Sequence, residues 1–245
     1  MNTLRLGLAG LLFGLLALAL QAADRYVVEP GTIDPSASAP PYNAWTNAAT
    51  NIQWAVDAAA ASETVWVSNG TYTIASPIVI TEGIVLCSTN GPEATLIDGN
   101  FTDGDLTTNR CLVLSNAAAL VHGLTISNGG IYCSGDVNTD YGAGVLMYAG
   151  ILSNCHVLNH RLVKTVYGWN KGGFGAGIYA LAGTVTACRV ANNLVTNVPS
   201  NGDGTGAGIY AGSTFISDCV ISNNRVLGGG TSSGAGGLRL SGRSA

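Results

Sequence analysis

The sequence predicts a β-solenoid, a rod made by stacking one repeating unit of short strands. The first observation behind this is a motif that returns with constant internal spacing. Gly-Ala-Gly opens at Gly142, Gly175, Gly206 and Gly234. In the first three copies a Cys follows eleven residues after the second Gly, and an Asn four residues later: Cys155 and Asn159, Cys188 and Asn192, Cys219 and Asn223. The first Gly recurs at steps of 33, 31 and 28 residues, a period that marks one structural unit stacked on copies of itself. The second observation is composition: 34 Gly and 10% charged residues, against about 25% charged in an average domain. The third is a series of short β-rich runs with no helical crossovers between them.

In chain order, residues 1–23 read as a signal peptide. Arg5 supplies a positive start, 6–20 is an uncharged apolar run, and small residues around Ala19 and Ala22 fit a cleavage site. The run is short for a membrane-spanning helix, which needs about 20 apolar residues. Nothing after residue 23 is apolar enough to span a membrane. Residues 24–62 read as a lead-in. A strand at Tyr26, Val27 and Val28 is followed by an irregular stretch around Pro30, Pro35, Pro40 and Pro41. A short helix comes next, capped by Thr50 or Asn51, with Ile52, Ala55, Val56 and Ala59 on one face. An open solenoid end invites strand-to-strand aggregation, so this helix is expected to cover it. Residues 63–245 read as the solenoid, ending mid-rung as if truncated. Its strands centre on Trp66, Thr73, Val79, Val85, Ile97, Val113 and Val121, then on the repeats. Eight or so rungs at about 4.8 Å give a rod of roughly 40 Å.

Within a repeat, alternation places Cys188, Val190 and Asn192 on one face, and Cys155, Val157, Asn159 and Cys219, Ile221, Asn223 likewise. Leu124, Ile126 and Asn128 form an earlier rung of the same kind. The expectation is a buried Cys column and, beside it, a buried ladder of Asn128, Asn159, Asn192 and Asn223 satisfying one another's hydrogen bonds. On that reading Asn192→Leu costs at least about 1–3 kcal/mol. Gly-Ala-Gly is expected at the opposite corner, where close approach or positive φ excludes a Cβ. Among Cys87, Cys111 and Cys133, one pair is open to bridging.

These residues resemble right-handed parallel β-helix repeat proteins. Gly-Ala-Gly-Ile-Tyr at 175–179 and 206–210, with Cys-x-Val/Ile-x-Asn further on, is similar to the repeats of polymorphic outer-membrane and autotransporter-type surface proteins of bacteria. Thr50-Asn51-Ile52-Gln53-Trp54-Ala55-Val56-Asp57 and Gly70-Thr71-Tyr72 are similar to the front end of pectin-lyase-like proteins. The resemblance implies an all-β, right-handed parallel β-helix with an N-terminal capping helix. It also implies an exported bacterial protein, secreted or at the cell surface. Such a fold serves both passive adhesin-like modules and polysaccharide lyases or glycoside hydrolases.

Enzymatic signatures are sparse. Hydrolysis needs two carboxylates at a set separation. Asn138-Thr139-Asp140 matches the start of a polygalacturonase motif, but Tyr141 stands where that family has Gly, and its other segments are missing. The acidic run 98–105 has calcium-loop residues at slipped spacing and reads as a polar turn. His122, His156 and His160 lack metal-ligand spacing. No metal and no cofactor is expected, and no catalytic residue is assigned. A net charge of −4 gives no basic footprint for nucleic acid. The segment 161–174 reads as a surface loop holding Arg161, Lys164, Tyr167, Trp169 and Lys171. Tyr167, Trp169 and Lys171 are the candidate ligand residues, because exposed aromatics with basic partners can stack on sugar rings or meet acidic glycans. The leading expectation is a non-catalytic glycan-binding or adhesin-like module whose partners are glycans or a host or matrix surface. The alternative is a polysaccharide lyase or glycoside hydrolase of the same fold.

Overall fold

The computed structural model describes residues 23–102, 108–133, 140–164, 173–198, 206–228, 234 and 236–241. The expected export segment therefore lies outside them but for Ala23. Short strands of similar length return at the same place in every rung, so they stack in register as four parallel columns.

The first column begins with Ile78–Ile80 and Leu112–Leu114 and continues with the strands after each Gly-Ala-Gly: Val145–Met147, the starts of Ile178–Thr186 and Ile209–Ser217, and Leu238–Leu240. The second stacks Arg25–Val27, Thr64–Val67, Val85–Ser88, Leu120–His122, Ile151–Ser153 and the ends of the two long strands. Those two nine-residue strands join both columns into one eleven-stranded sheet. The third column is six-stranded: Gly70–Thr73, Thr95–Asp98, Thr125–Ser127, His156–Leu158, Arg189–Ala191 and Val220–Ser222. The fourth is four-stranded: Gly130–Cys133, Arg161–Lys164, Leu194–Val198 and Arg225–Gly228. All strand pairs are parallel. The protein is a parallel β-helix.

Two expectations change here. Among the described residues the longest column holds seven strands rather than eight or so, about 29 Å of rod at 4.8 Å per step. The segment 161–174 is also not a loop throughout. Arg161–Lys164 pairs with Gly130–Cys133 on one side and Leu194–Val198 on the other.

Corners between columns are single left-handed residues. Asn154, Ala187 and Asp218 have φ of 49°, 52° and 54° and turn the chain from the second column into the Cys position. Asn128, Asn159, Asn192 and Asn223 have φ of 55–60° and turn it out of the third column. Asn tolerates this conformation better than most residues.

The interior has two parts. The main core runs the length of the rod and includes Val65, Leu86, Val121, Leu124, Leu152, Cys155, Val185, Cys188 and Val190. A lesser core sits behind the fourth column and holds Ile131, Cys133, Leu162 and Val195 with Ala143, Ala176 and Ala207, the middle residues of the Gly-Ala-Gly turns. The turns and the Asn corners thus meet across a narrow waist rather than standing apart at opposite corners. The first Gly is needed for its φ of 60–62°. The second is needed for closeness: a Cβ on Gly177 would lie 2.6 Å from the Gly208 carbonyl and 2.8 Å from Asn193 Nδ2.

The helix Ile52–Ala58 closes the N-terminal end, burying Ile52, Ala55 and Val56 in the main core. Asn51 caps it by accepting from the Gln53 N–H at 2.8 Å. Each edge column finds its own partner there. The second column pairs with backbone at Tyr42 and Ala49. Val79 at the first column donates to Gln53 Oε1 at 2.7 Å and accepts from Nε2 at 3.2 Å, so one side-chain amide imitates a neighbouring strand. Thr71 at the third column donates to Glu29 Oε1 at 2.9 Å.

Candidate functional site

The buried ladder exists, but one residue later than alternation predicts. Asn159, Asn192 and Asn223 are exposed, and Asn128 is half-buried. The left-handed turn at each of them resets the alternation, so the next residue points inward. The interior ladder is Gly129, His160, Asn193 and Asn224. The Asn193 N–H donates to Asn224 Oδ1 at 2.9 Å, and the His160 N–H to Asn193 Oδ1 at 3.0 Å. Asn193 Nδ2 donates to the Val157 carbonyl at 3.1 Å, and Asn224 Nδ2 to that of Val190 at 2.9 Å. His160 follows the same plan with a ring: Nδ1 accepts from the Gly129 N–H at 2.9 Å, and Nε2 faces the Ile126 carbonyl at 3.0 Å. An N–H aimed at Nδ1 requires that nitrogen to be bare, so the ring is neutral with its proton on Nε2. Burial pulls the His160 pKa down to about 4, its two backbone hydrogen bonds opposing the shift. This ladder is structural.

Chemistry that faces solvent gathers on the outside of the first column. The inward residues Val145, Ile178 and Ile209 are buried, so Leu146, Tyr179, Tyr210 and Arg239 form the outward row. Beside this row, Tyr141 and Phe174 precede two successive Gly-Ala-Gly turns and pair with each other. Each leans onto the strand one rung on. Tyr141 stacks on Tyr179 at 4.5 Å between ring centroids and 15° between planes, and Tyr179 on Tyr210 at 5.0 Å and 8°. Phe174 meets Tyr210 at 5.0 Å and Tyr141 at 5.7 Å. The four rings make one slab running parallel to the rod axis. Tyr148, 45% exposed, lies close enough to act on both Tyr179 and Arg110 electrostatically.

Burial, with the neighbouring phenols behind it, pushes the Tyr179 pKa up to about 12, so its hydroxyl stays protonated at any ordinary pH. Arg110 donates from Nε to the Gly142 carbonyl at 2.9 Å and from Nη2 to that of Tyr141 at 2.7 Å. Burial lowers its pKa, and Tyr148 and the carboxylate of Asp140 hold its charge. Asp140 is itself only 1% exposed. The slab can offer phenol hydroxyls as donors and acceptors, aromatic edges, and a guanidinium near each end.

Of the residues singled out in the sequence, Tyr167, Trp169 and Lys171 lie outside the described residues. The ends of their segment, Arg161–Lys164 and Phe174, are placed, and Phe174 belongs to the slab. Asp98 holds the turn after its strand: Oδ1 accepts from the Asn100 N–H at 2.9 Å and from Asn128 Nδ2 at 3.0 Å. Among the described residues no three His, Cys, Asp or Glu side chains converge to hold a metal. His156 faces outward, 3.7 Å from Glu93. The cysteine column is present, with Cys155 and Cys188 buried and Cys219 half-buried. Cys87, Cys111 and Cys133 are all free thiols. They fall in the second column, just before the first, and in the fourth, so no two are brought together.

The slab was missed in the sequence for a definite reason. Tyr179 and Tyr210 share a repeat position, but Tyr141 and Phe174 join them only because a corner residue of one rung lies against a strand residue of the next. Among the described residues no helix is long and apolar enough to cross a membrane. Compared with known proteins, the chain matches no family model, no curated protein and no solved structure.

Proposed function

We propose that this chain is an exported, non-catalytic β-helix module that binds extended glycans, in the manner of a bacterial adhesin. One observation carries the reading: the slab of Tyr141, Phe174, Tyr179 and Tyr210 runs along the rod axis on an outward face. A linear polymer laid on it would meet a new ring at every rung. Aromatic side chains with one apolar body and one wet polar tip suit a ligand that is itself apolar on its faces and hydroxylated at its edges. Arg110 and Arg239, near the two ends of the slab, favour acidic glycans over neutral ones. The segment holding Tyr167, Trp169 and Lys171 leads into Phe174, which extends the same composition.

Hydrolysis would need a pair of carboxylates about 5–9.5 Å apart. Asp140 supplies one beside the slab, and it is buried against Arg110. This favours binding over cleavage.

The test is affinity electrophoresis of the mature chain through gels carrying neutral or acidic polysaccharides, with a parallel assay for new reducing ends. Retardation by an acidic polymer is expected, weakened at least about fivefold by Tyr210→Ser or Trp169→Ala, since a stacking side chain contributes roughly 1–3 kcal/mol. Free migration through every gel would sink the proposal. Release of reducing ends would replace it with a polysaccharide-cleaving enzyme.

A further inference from the structure

The three repeat cysteines form a continuous row of thiols. Thr186 pairs with Ser217 and Arg189 with Val220, so Cys188 and Cys219, which lie between these pairs, are held in register. Cys155 stands in the same relation to Cys188 through Ser153 with Thr186 and His156 with Arg189. Neighbouring cysteines are therefore one rung apart, about 4.8 Å, with their Cα–Cβ bonds parallel. That separation decides what chemistry fits. A disulfide requires Cβ atoms about 3.5–4.5 Å apart, closer than parallel rungs place them. A linear sulfur–metal–sulfur bridge requires sulfurs about 4.6 Å apart, twice a metal–sulfur distance of about 2.3 Å.

We propose that Cys188 and Cys219 form a two-coordinate site for one soft monovalent cation of the copper(I) class. Soft sulfur ligands select such ions. Of the pair, Cys219 is half-buried and Cys188 is 2% exposed, so the ion would be reached through Cys219. Each thiol now donates to a backbone carbonyl, Cys188 to Thr186 at 3.2 Å and Cys219 to Ser217 at 3.1 Å. On binding, one of the two thiols releases its proton to solvent and its thiolate bonds the ion; the other keeps its proton and donates a sulfur lone pair. The product is neutral, which the apolar interior requires. Nothing is oxidised or reduced. Among the described residues the row does not gather three ligands around one point, which is the arrangement zinc would take.

The experiment titrates the reduced mature chain with silver(I), an air-stable stand-in for copper(I), by calorimetry in buffers of different ionisation enthalpy. One silver ion per chain and one proton released are expected, with zinc giving no heat. Cys219→Ser should weaken silver binding by more than the roughly 10–100-fold of an outer-shell change. Cys87→Ser, which alters the other half-buried thiol, should leave it unchanged. X-ray absorption should show two sulfur neighbours. Cys219 is half-buried, so its serine variant is expected to keep the fold, checked by circular dichroism, even if Cys188→Ser does not. Silver binding indifferent to Cys219→Ser would overturn the proposal. So would equal loss in Cys87→Ser, or no retained silver in a chain whose thiols titrate as free.

Discussion

His160 shows how a single position in the ladder is specified. Its ring presents an acceptor at Nδ1 and a donor at Nε2, the same pair that Asn193 presents through Oδ1 and Nδ2 one rung on. The ring differs from the amide in being able to take a proton, and the buried site opposes that. The folded pKa of about 4 lies below the usual 6.5, so the unfolded chain binds the proton more tightly. Stability from this group is therefore complete above pH 6.5 and lost as pH falls from 6.5 towards 4, by up to about 3 kcal/mol. His160→Asn should fold as well at pH 7 and abolish this part of the acid sensitivity, read as urea midpoints at pH 7 and pH 5. An unchanged pH dependence in the variant would place the sensitivity elsewhere. The displaced ladder also reverses an expectation about Asn192. Asn193→Ala leaves the His160 N–H and the Val157 carbonyl unpaired in the interior, which should cost about 1–3 kcal/mol for each. Asn192→Gly keeps the left-handed corner and loses an exposed amide bonded to Asn223, so its unfolding free energy should change by less than about 0.5 kcal/mol. Equal effects at the two positions would refute the assignment of inside and outside.

The N-terminal cap works at the level of the element. A seven-residue helix is too short to be stable alone and owes its order to the apolar face it buries. Its polar face does a second job through Gln53, whose amide holds both free backbone groups of Val79. Burial of the Arg25–Glu63 pair at 2.8 Å, with Arg25 Nε on the Ala58 carbonyl, fastens the helix end to the first strand of the second column. Gln53→Ala should cost about 1–2 kcal/mol, the net worth of two modest hydrogen bonds, and should expose a strand edge. Chemical denaturation would read the first effect and concentration-dependent light scattering the second. A variant as stable and as monodisperse as the parent would show that the edge is protected some other way. The helix, its Asn51 cap and its buried face were all legible, because a 3.6-residue pattern and a capping side chain are local signals. The partner of Gln53 was not, since Val79 lies 26 residues away and in another element.

At the scale of the molecule, the rungs are nearly interchangeable parts, because each touches only its neighbours. Deleting 175–205 would join Phe174 to Gly206, bring Ile209 against Val145, and place the His160 N–H against Asn224 Oδ1. The shortened chain should still unfold in one cooperative step with a β-type circular dichroism spectrum, its rod shorter by about 4.8 Å in solution scattering. A chain that fails to fold would show that the rungs are individually required. The repeat spacing by itself determined the stacked-strand architecture and the Cys column, because stacking turns a linear period into a spatial one, and the positive φ of the first Gly was legible beside them. Left undetermined was which residue of each Asn pair faces inward: one left-handed residue reverses the alternation, and no local signal fixes its φ. The slab of Tyr141, Phe174, Tyr179 and Tyr210, the lesser core behind the fourth column and the waist between Gly177 and Asn193 were decided only by tertiary structure. Each is a contact between different corners or rungs, set by the width and rise of the coil rather than by any neighbouring residue.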